Sequence, residues 1–400
     1  MNISYTGRLE NNLWDLAYSL DGSYESDDHD EIIDFLNNSS NFRSFGNGLL
    51  NVIEKKYPEI SIDVFNVIQF IKQKCIDNGV PMSDIASLNT LTNWFEKGMR
   101  PKKAESSRKS MFAFAFALEL TIDETKDLFH KVYLDRAFNY RNTDEFVYYY
   151  CLQHRRTWTD AEQLIAYAVT TSSNDSDDIR YTAVIKGEIE QIADDDELLE
   201  YISKHGNDFE KDSQTAKAKF NRLIEEAKST ALKEIERFGE YEEVVKNKWH
   251  SSDNISINLL YTIIIGCDVK GKKGTKTIFG NSCLPKEIKN RFPEAASFGK
   301  KDIGSEELRK VIILLFSYVT WYKMQSCDTD YGYDDYKQEL DAILLDCGFA
   351  NMYYGNPYDW LFLYCTLFES SEESKSQPLT TFRAIIAGAL GQSDSTKFTD

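Results

Sequence analysis

Apolar residues fall at helical spacing in one segment after another. In LNTLTNWFEKG, Leu88, Leu91, Trp94 and Phe95 share one face, and Gly98 and Pro101 mark the stop. The following string, MFAFAFALEL, is apolar almost all round, so the pattern predicts a buried helix that Ser106 or Ser107 can cap. Upstream, Val64, Val67, Ile68 and Ile71 give a helix over 61–79. Downstream, Thr121-Ile-Asp-Glu124 reads as a capping box opening a helix that ends near Tyr133. An aromatic, Asn-rich turn over 138–144 precedes an aromatic helix, Glu145 to Leu152, and a further helix over 159–168. Nearer the start, Ile32, Ile33, Phe35 and Leu36 form one apolar face and Leu49, Leu50 and Ile53 another, behind an acidic loop over 24–30.

The pattern then echoes itself. In both Glu105 to Phe116 and Ser305 to Phe316, Arg-Lys opens a strongly apolar helix. Leu344 to Cys365 echoes Leu128 to Cys151: a short helix, a turn ending in Asp, then an aromatic helix. The turn Asp (Asp144, Asp359) is expected to cap the aromatic helix in both copies. The second copy is longer, and the excess falls on a surface insertion within 324–337. The period is about 200 residues, which indicates a duplicated module and not a solenoid. The expected fold is all-α: two related multi-helix modules joined by an acidic helical segment. The boundaries read as an N-terminal arm over 1–55, module A over 56–170, a charged segment over 171–250 and module B over 251–400.

Length and charge narrow the picture. A chain of 400 residues can hold two or three cores, and its net charge of −19 disfavours non-specific adhesion to nucleic acid. Seven cysteines occur without a C-x-x-C pair, mostly in apolar surroundings, which suggests buried thiols in a reducing cytoplasm. No signal peptide and no stretch of 18 apolar residues is present, so no membrane association is expected. Between Trp94 and Ser110, six bases face two acids, a local balance of +4. Between Glu188 and Glu200 the reverse holds, with seven acids and no base. That run reads as a solvated helix face or as a patch for a basic partner.

Several strings approach known chemistry and miss it. Gly266-Cys-Asp-Val-Lys-Gly-Lys272-Lys273 resembles a phosphate-cradling loop, but Lys273 stands where a Ser or Thr must hold magnesium. Asp328, Asp330, Asp334 and Glu339 have calcium-loop spacing, but Tyr333 occupies the position that needs Gly. His29 sits among acids without a second His or Cys nearby. Cys151 with His130 or His154 would need one convergent wall to act as a nucleophile. Tyr148, Tyr149 and Tyr150, with Trp360, Phe362 and Tyr364, could stack bases, though their all-round aromatic helices argue for burial. No enzymatic activity, metal or cofactor is expected.

The stretch 61–133 resembles the Cro/repressor-type (Xre) helix-turn-helix family. The matching residues are Thr90, Leu91, Trp94, Gly98, Arg100 and Pro101, then Ala115, Ala117, Leu118 and Leu120, then Glu124 and Leu128. The family usually has a full helix before its recognition helix, whereas Pro81 to Ala86 leaves barely one turn. The resemblance implies a transcriptional regulator that binds double-stranded DNA. Thr90, Thr92, Asn93 and Lys97 would lie on the recognition-like helix, and Arg100, Lys102 and Lys103 would hold phosphates. The C-terminal module would then sense a protein partner or self-associate. The alternative is an all-helical protein-interaction scaffold without DNA binding.

Overall fold

The computed structural model describes residues 5–19, 28–38, 40–101, 104–171, 182–206, 214–238, 251–266, 270–271, 274–275, 305–326, 331–367 and 378–389. The fold is all-α. Residues fall into two compact units: 43–214 with 348–350, and 1–42 with 215–347 and 351–400. These units cut across the boundaries read from the sequence. The arm divides between Phe42 and Arg43. The second boundary of these units falls at Gln214, within the charged segment.

The N-terminal helices of the second unit are α1 (Tyr5–Ser19) and α2 (Asp28–Asn37). The unit 43–214 then contains α3 (Phe45–Lys56), α4 (Val67–Asp77), α5 (Met82–Ile85), α6 (Leu88–Glu96), α7 (Glu105–Ala117), α8 (Ile122–Asp127), α9 (Thr143–Gln153), α10 (Trp158–Thr171), α11 (Thr182–Ile189) and α12 (Asp195–Lys204). Two of these form its centre. Every residue of α7 from Met111 onward is buried, as is every residue of α9 from Glu145 to Leu152. Helices apolar on all sides have no solvent face to offer, so the others wrap them. Helices α4 and α5 pack on α7, α10 packs on α9 and α7, and α12 packs on α10.

Local chemistry sets the boundaries. The capping box forms as read, with Thr121 accepting from the Glu124 N–H at 3.2 Å and Glu124 accepting from the Thr121 N–H at 2.7 Å. Helix α8 then passes into a π-helical turn, Leu128–Tyr133. Two expectations change. The helix expected from Ser61 begins only at Val67, because Asp63 accepts from the N–H groups of Phe65 and Asn66 and holds a turn there. Ser106 and Ser107 lie inside the first turn of α7, whose cap position is Ala104, without a side-chain bond. In α3, Gly46 and Gly48 permit close approach: a Cβ on either would collide with the Trp94 carbonyl or with Val132.

One ion pair organises the centre. Arg108, in the first turns of α7, uses all five of its N–H donors. Nε and Nη2 reach Glu145 at 2.6 and 2.7 Å. Nη1 reaches Asp135 and the Arg136 carbonyl, and Nη2 the Ala137 carbonyl, each at 2.9 Å. Glu145 also accepts from the Asn139 N–H at 2.6 Å. The Asn-rich turn is therefore tied to both helices.

The other unit adds α13 (Gln214–Phe238), α14 (Ile257–Ile265), α15 (Ser305–Ser326), α16 (Tyr333–Asp346), α17 (Pro357–Leu367) and α18 (Pro378–Ala389). Helix α17 is wholly buried. The N-terminal helices pack here: α2 against α18 and α1 against α17, with Trp360 Nε1 donating to the Leu9 carbonyl at 3.3 Å. The only β structure among the described residues is a two-rung ladder pairing Lys270 with Thr275 and Gly271 with Gly274.

The arginine arrangement recurs in this unit. Arg309 grips Asp359 with two bonds of 2.8 Å, reaches the Asn351 carbonyl at 3.1 Å, and Asp359 accepts from the Tyr353 N–H at 3.0 Å. Glu145 and Asp359 each stand three residues after an asparagine. Asn142 and Asn356 donate backbone N–H bonds to the carbonyls of Asn139 and Tyr353, and accept from Phe146 and Trp360. The helix order is also shared, with α7, α8, α9 and α10 answered by α15, α16, α17 and α18. The turn Asp does not cap both aromatic helices. In α9 the cap is Asn142, which accepts from the Glu145 N–H at 2.9 Å, and Asp359 instead clamps its arginine.

Removing one partner from a buried pair strands the other, at a cost of about 3–5 kcal/mol. Arg108→Ala and Arg309→Ala should each lower the stability of their own unit on that scale in urea unfolding followed by circular dichroism. Lys109→Ala, beside Arg108 but half exposed, should change it by less than about 1 kcal/mol.

Candidate functional site

Helix α6 lies at the surface of its unit, with Leu91, Trp94 and Phe95 buried. Ser87 caps it, accepting from the Thr90 N–H at 3.2 Å, and its hydroxyl meets that of Thr90 at 2.8 Å. Thr92 donates to the Leu88 carbonyl at 3.0 Å. Asn93 turns its oxygen inward: Oδ1 is buried and has no partner. Gly98, at φ +62°, reverses the chain beyond the exposed Lys97, and Met99 and Arg100 are exposed after it. Arg100 donates to the Val132 carbonyl at 2.6 Å. Lys102 and Lys103 lie outside the described residues. The other two bases of the stretch are committed internally, Arg108 in its clamp and Lys109 to Glu162 at 2.6 Å. The preceding α5 is a single turn packed on α7.

The acidic run has a structural use. Three consecutive tyrosines of α9 project toward three different neighbours. Tyr148 donates to Glu162 at 2.8 Å, Tyr149 to Glu190 at 3.2 Å and Tyr150 to Asp195 at 2.7 Å. Glu188 accepts from Tyr201, Asp194 caps α12, and Glu197 accepts from the Ala193 N–H. Five of the seven acids between Glu188 and Glu200 thus hold α9, α11 and α12 together.

The other candidates resolve individually. Ile257–Ile265 is a helix, so no strand leads into the loop after Gly266, and Lys272 and Lys273 lie outside the described residues. Asp328 and Asp330 also lie outside them, while Glu339 accepts from the Tyr331 hydroxyl at 2.9 Å. Cys151 is buried, and burial pushes its thiol up to about 12, well above the range of a nucleophile at neutral pH. His154 Nε2 meets the Ile192 carbonyl at 3.0 Å. His29 falls in α2; among the described residues no group of three or more His, Cys, Asp or Glu could hold a metal ion. Tyr148, Tyr149, Tyr150, Trp360, Phe362 and Tyr364 are all buried, so no base can stack on them.

A cleft that no motif indicated opens in the same unit, with a volume of about 950 Å³. It lies where the C-terminal ends of α4, α7 and α9 meet the starts of α8 and α10. Phe116, Leu120, Leu152 and Trp158 contribute apolar surface, and Lys56, Asp77, Glu119, Asp123, Arg155 and Arg156 supply charge. Lys56 is paired with Glu124 and Arg156 with Asp195. Tyr57 donates to the Leu118 carbonyl at 3.0 Å, and burial, then the carboxylates of Glu119 and Glu124, push its phenol up to about 12. Once the helix ends are known the cleft leaves a trace in the sequence: Glu119 and Arg155 occupy positive-φ positions just past them, where glycine is usual.

The tyrosines set a pH limit. Burial, followed by the neighbouring carboxylates, raises Tyr149 and Tyr150 to about 12 from an ordinary value of 10.0. A pKa raised by folding gives stability that is complete below the unfolded value and lost as pH rises through the folded one. The helix signal should therefore hold to about pH 10 and fall between pH 10 and 12. The part of the phenolate absorbance that Tyr149→Phe and Tyr150→Phe remove should rise together with that loss and not before it. Neither a protein-family model, nor a curated protein, nor a solved structure matches this chain.

Proposed function

We propose that residues 43–214 form a helix-turn-helix-related unit that binds double-stranded DNA along the exposed edge of α6 and the turn after it. The observation that carries this reading is the Gly98 turn. It leaves Lys97 and Arg100 exposed at the end of a surface helix in a chain whose net charge is −19. The order of α6, α7 and α8 also follows the motif order of the resembling family. Base reading has weaker support. Thr90 and Thr92 are bonded locally, and the buried Asn93 oxygen is the acceptor that pairing with adenine would need. Phosphate contacts therefore supply most of the affinity in this proposal.

A second reading, recognition of a protein, is favoured by one observation. Of the eight large apolar side chains exposed among the described residues, seven belong to this unit: Ile60, Phe65, Ile76, Leu88, Met99, Tyr167 and Val184. Phe65, 94% exposed, is the most extreme.

Selection from random duplex DNA at low salt, followed by titration of the winners against salt, separates the two. With Lys97, Arg100, Lys102 and Lys103 on phosphates, log affinity should fall against log salt with a slope of roughly −3 to −4. Lys97→Ala and Arg100→Ala should each flatten it by about one unit. Absence of any binding at low salt would overturn the DNA reading in favour of the protein one.

A further inference from the structure

The cleft carries charges that the fold does not use. Helices α4 and α6 end at Gly79 and Gly98, with φ of +64° and +62°, a conformation that glycine adopts without a Cβ penalty. Helices α7 and α9 end in the same conformation with charged residues, Glu119 at +51° and Arg155 at +53°. Both border the cleft. Arg155 at least suits a helix C-terminus, whose dipole favours a cation. Glu119 does not: its carboxylate stands at the negative end of α7, and it forms no ion pair among the described residues. Gln153 lies on the same wall, its amide nitrogen donating to the Glu190 carbonyl at 3.2 Å.

We propose that this cleft binds an extended peptide segment of a partner protein. The segment sets a basic side chain against Glu119 and an acidic side chain or terminal carboxylate against Arg155. A peptide matches the lining because it carries donors, acceptors and both signs of charge. The apolar surface of Phe116, Leu120 and Leu152 takes an intervening side chain. A nucleic acid does not match, since Asp77, Glu119 and Asp123 would repel its phosphates. The volume exceeds what a single amino acid fills. The inference does not depend on the DNA reading, which concerns α6.

The test uses the full chain, panned against a phage library of random linear octapeptides in the absence of nucleic acid. Selected peptides are then titrated by calorimetry. Winners should share a basic and an acidic residue. Glu119→Gly and Arg155→Gly place glycine where φ is positive, so each should leave the fold intact and raise Tm by about 2–4 °C. Each should also weaken binding of the selected peptides tenfold or more. Glu119→Lys should shift selection from basic to acidic residues at that end. Any of three results would overturn the proposal: no enrichment over beads without protein, winners lacking the paired charges, or equal affinity for the native chain and both glycine variants.

Discussion

The clamp between Arg108 and Glu145 is the constraint from which most of the unit 43–214 follows. A guanidinium taken out of water is stable only if its donors are satisfied, and all five are. Satisfying them requires α7, α9, the Asp135 carboxylate and the carbonyls of Arg136 and Ala137 to meet in one geometry. That geometry fixes where the Asn-rich turn runs and at what angle α9 enters the core. Because the cost of a misplaced partner is large, the clamp selects one packing of two apolar helices that could otherwise slide. Arg309 and Asp359 join α15 and α17 in a similar way, with a shorter carboxylate and with the Asn351 carbonyl as a further acceptor. The second unit therefore holds two buried helices by the same kind of contact.

With α9 fixed, its three successive tyrosines are fixed too. Neighbours on a helix point about 100° apart, so the three hydroxyls must find acceptors on three sides. Glu162, Glu190 and Asp195 supply them from different parts of the chain. The same chemistry recurs where Tyr318 meets the buried Glu234 and Tyr331 meets Glu339. The acidity of the chain is thus partly a bonding requirement of its tyrosines. It is not simply a charged coat.

This explains which features the sequence could disclose. Burial of 111–118 and 145–152 was legible because a string without polar residues admits one environment. The capping box and the apolar face of α6 were legible because both are short-range patterns. Arg108 was not: counted along the chain it is one more base in a basic stretch, and its partner lies 37 residues away. The acidic run was ambiguous for the same reason, since its tyrosine donors are 41 and 45 residues off or on the next helix. The placement of α1 beside α17 rests on contacts across some 350 residues, beyond any local pattern. The cleft belongs to this class as well, being assembled from the ends of helices spread over a hundred residues. Only its two charged residues at positive φ left a trace, and only in hindsight of the helix ends.

With Arg108 and Lys109 committed to Glu145 and Glu162, the bases of the stretch that are exposed among the described residues are Lys97 and Arg100. At physiological ionic strength the Debye length is about 8 Å, so a phosphate at the turn responds to the nearest bases and hardly to remote carboxylates. At lower salt the distant acids re-enter and oppose approach. A net charge of −19 therefore does not forbid an anionic partner at this edge. It confines such a partner to a footprint of a few phosphates. Within so small a footprint, the buried amide oxygen of Asn93 leaves little of α6 free to read a base.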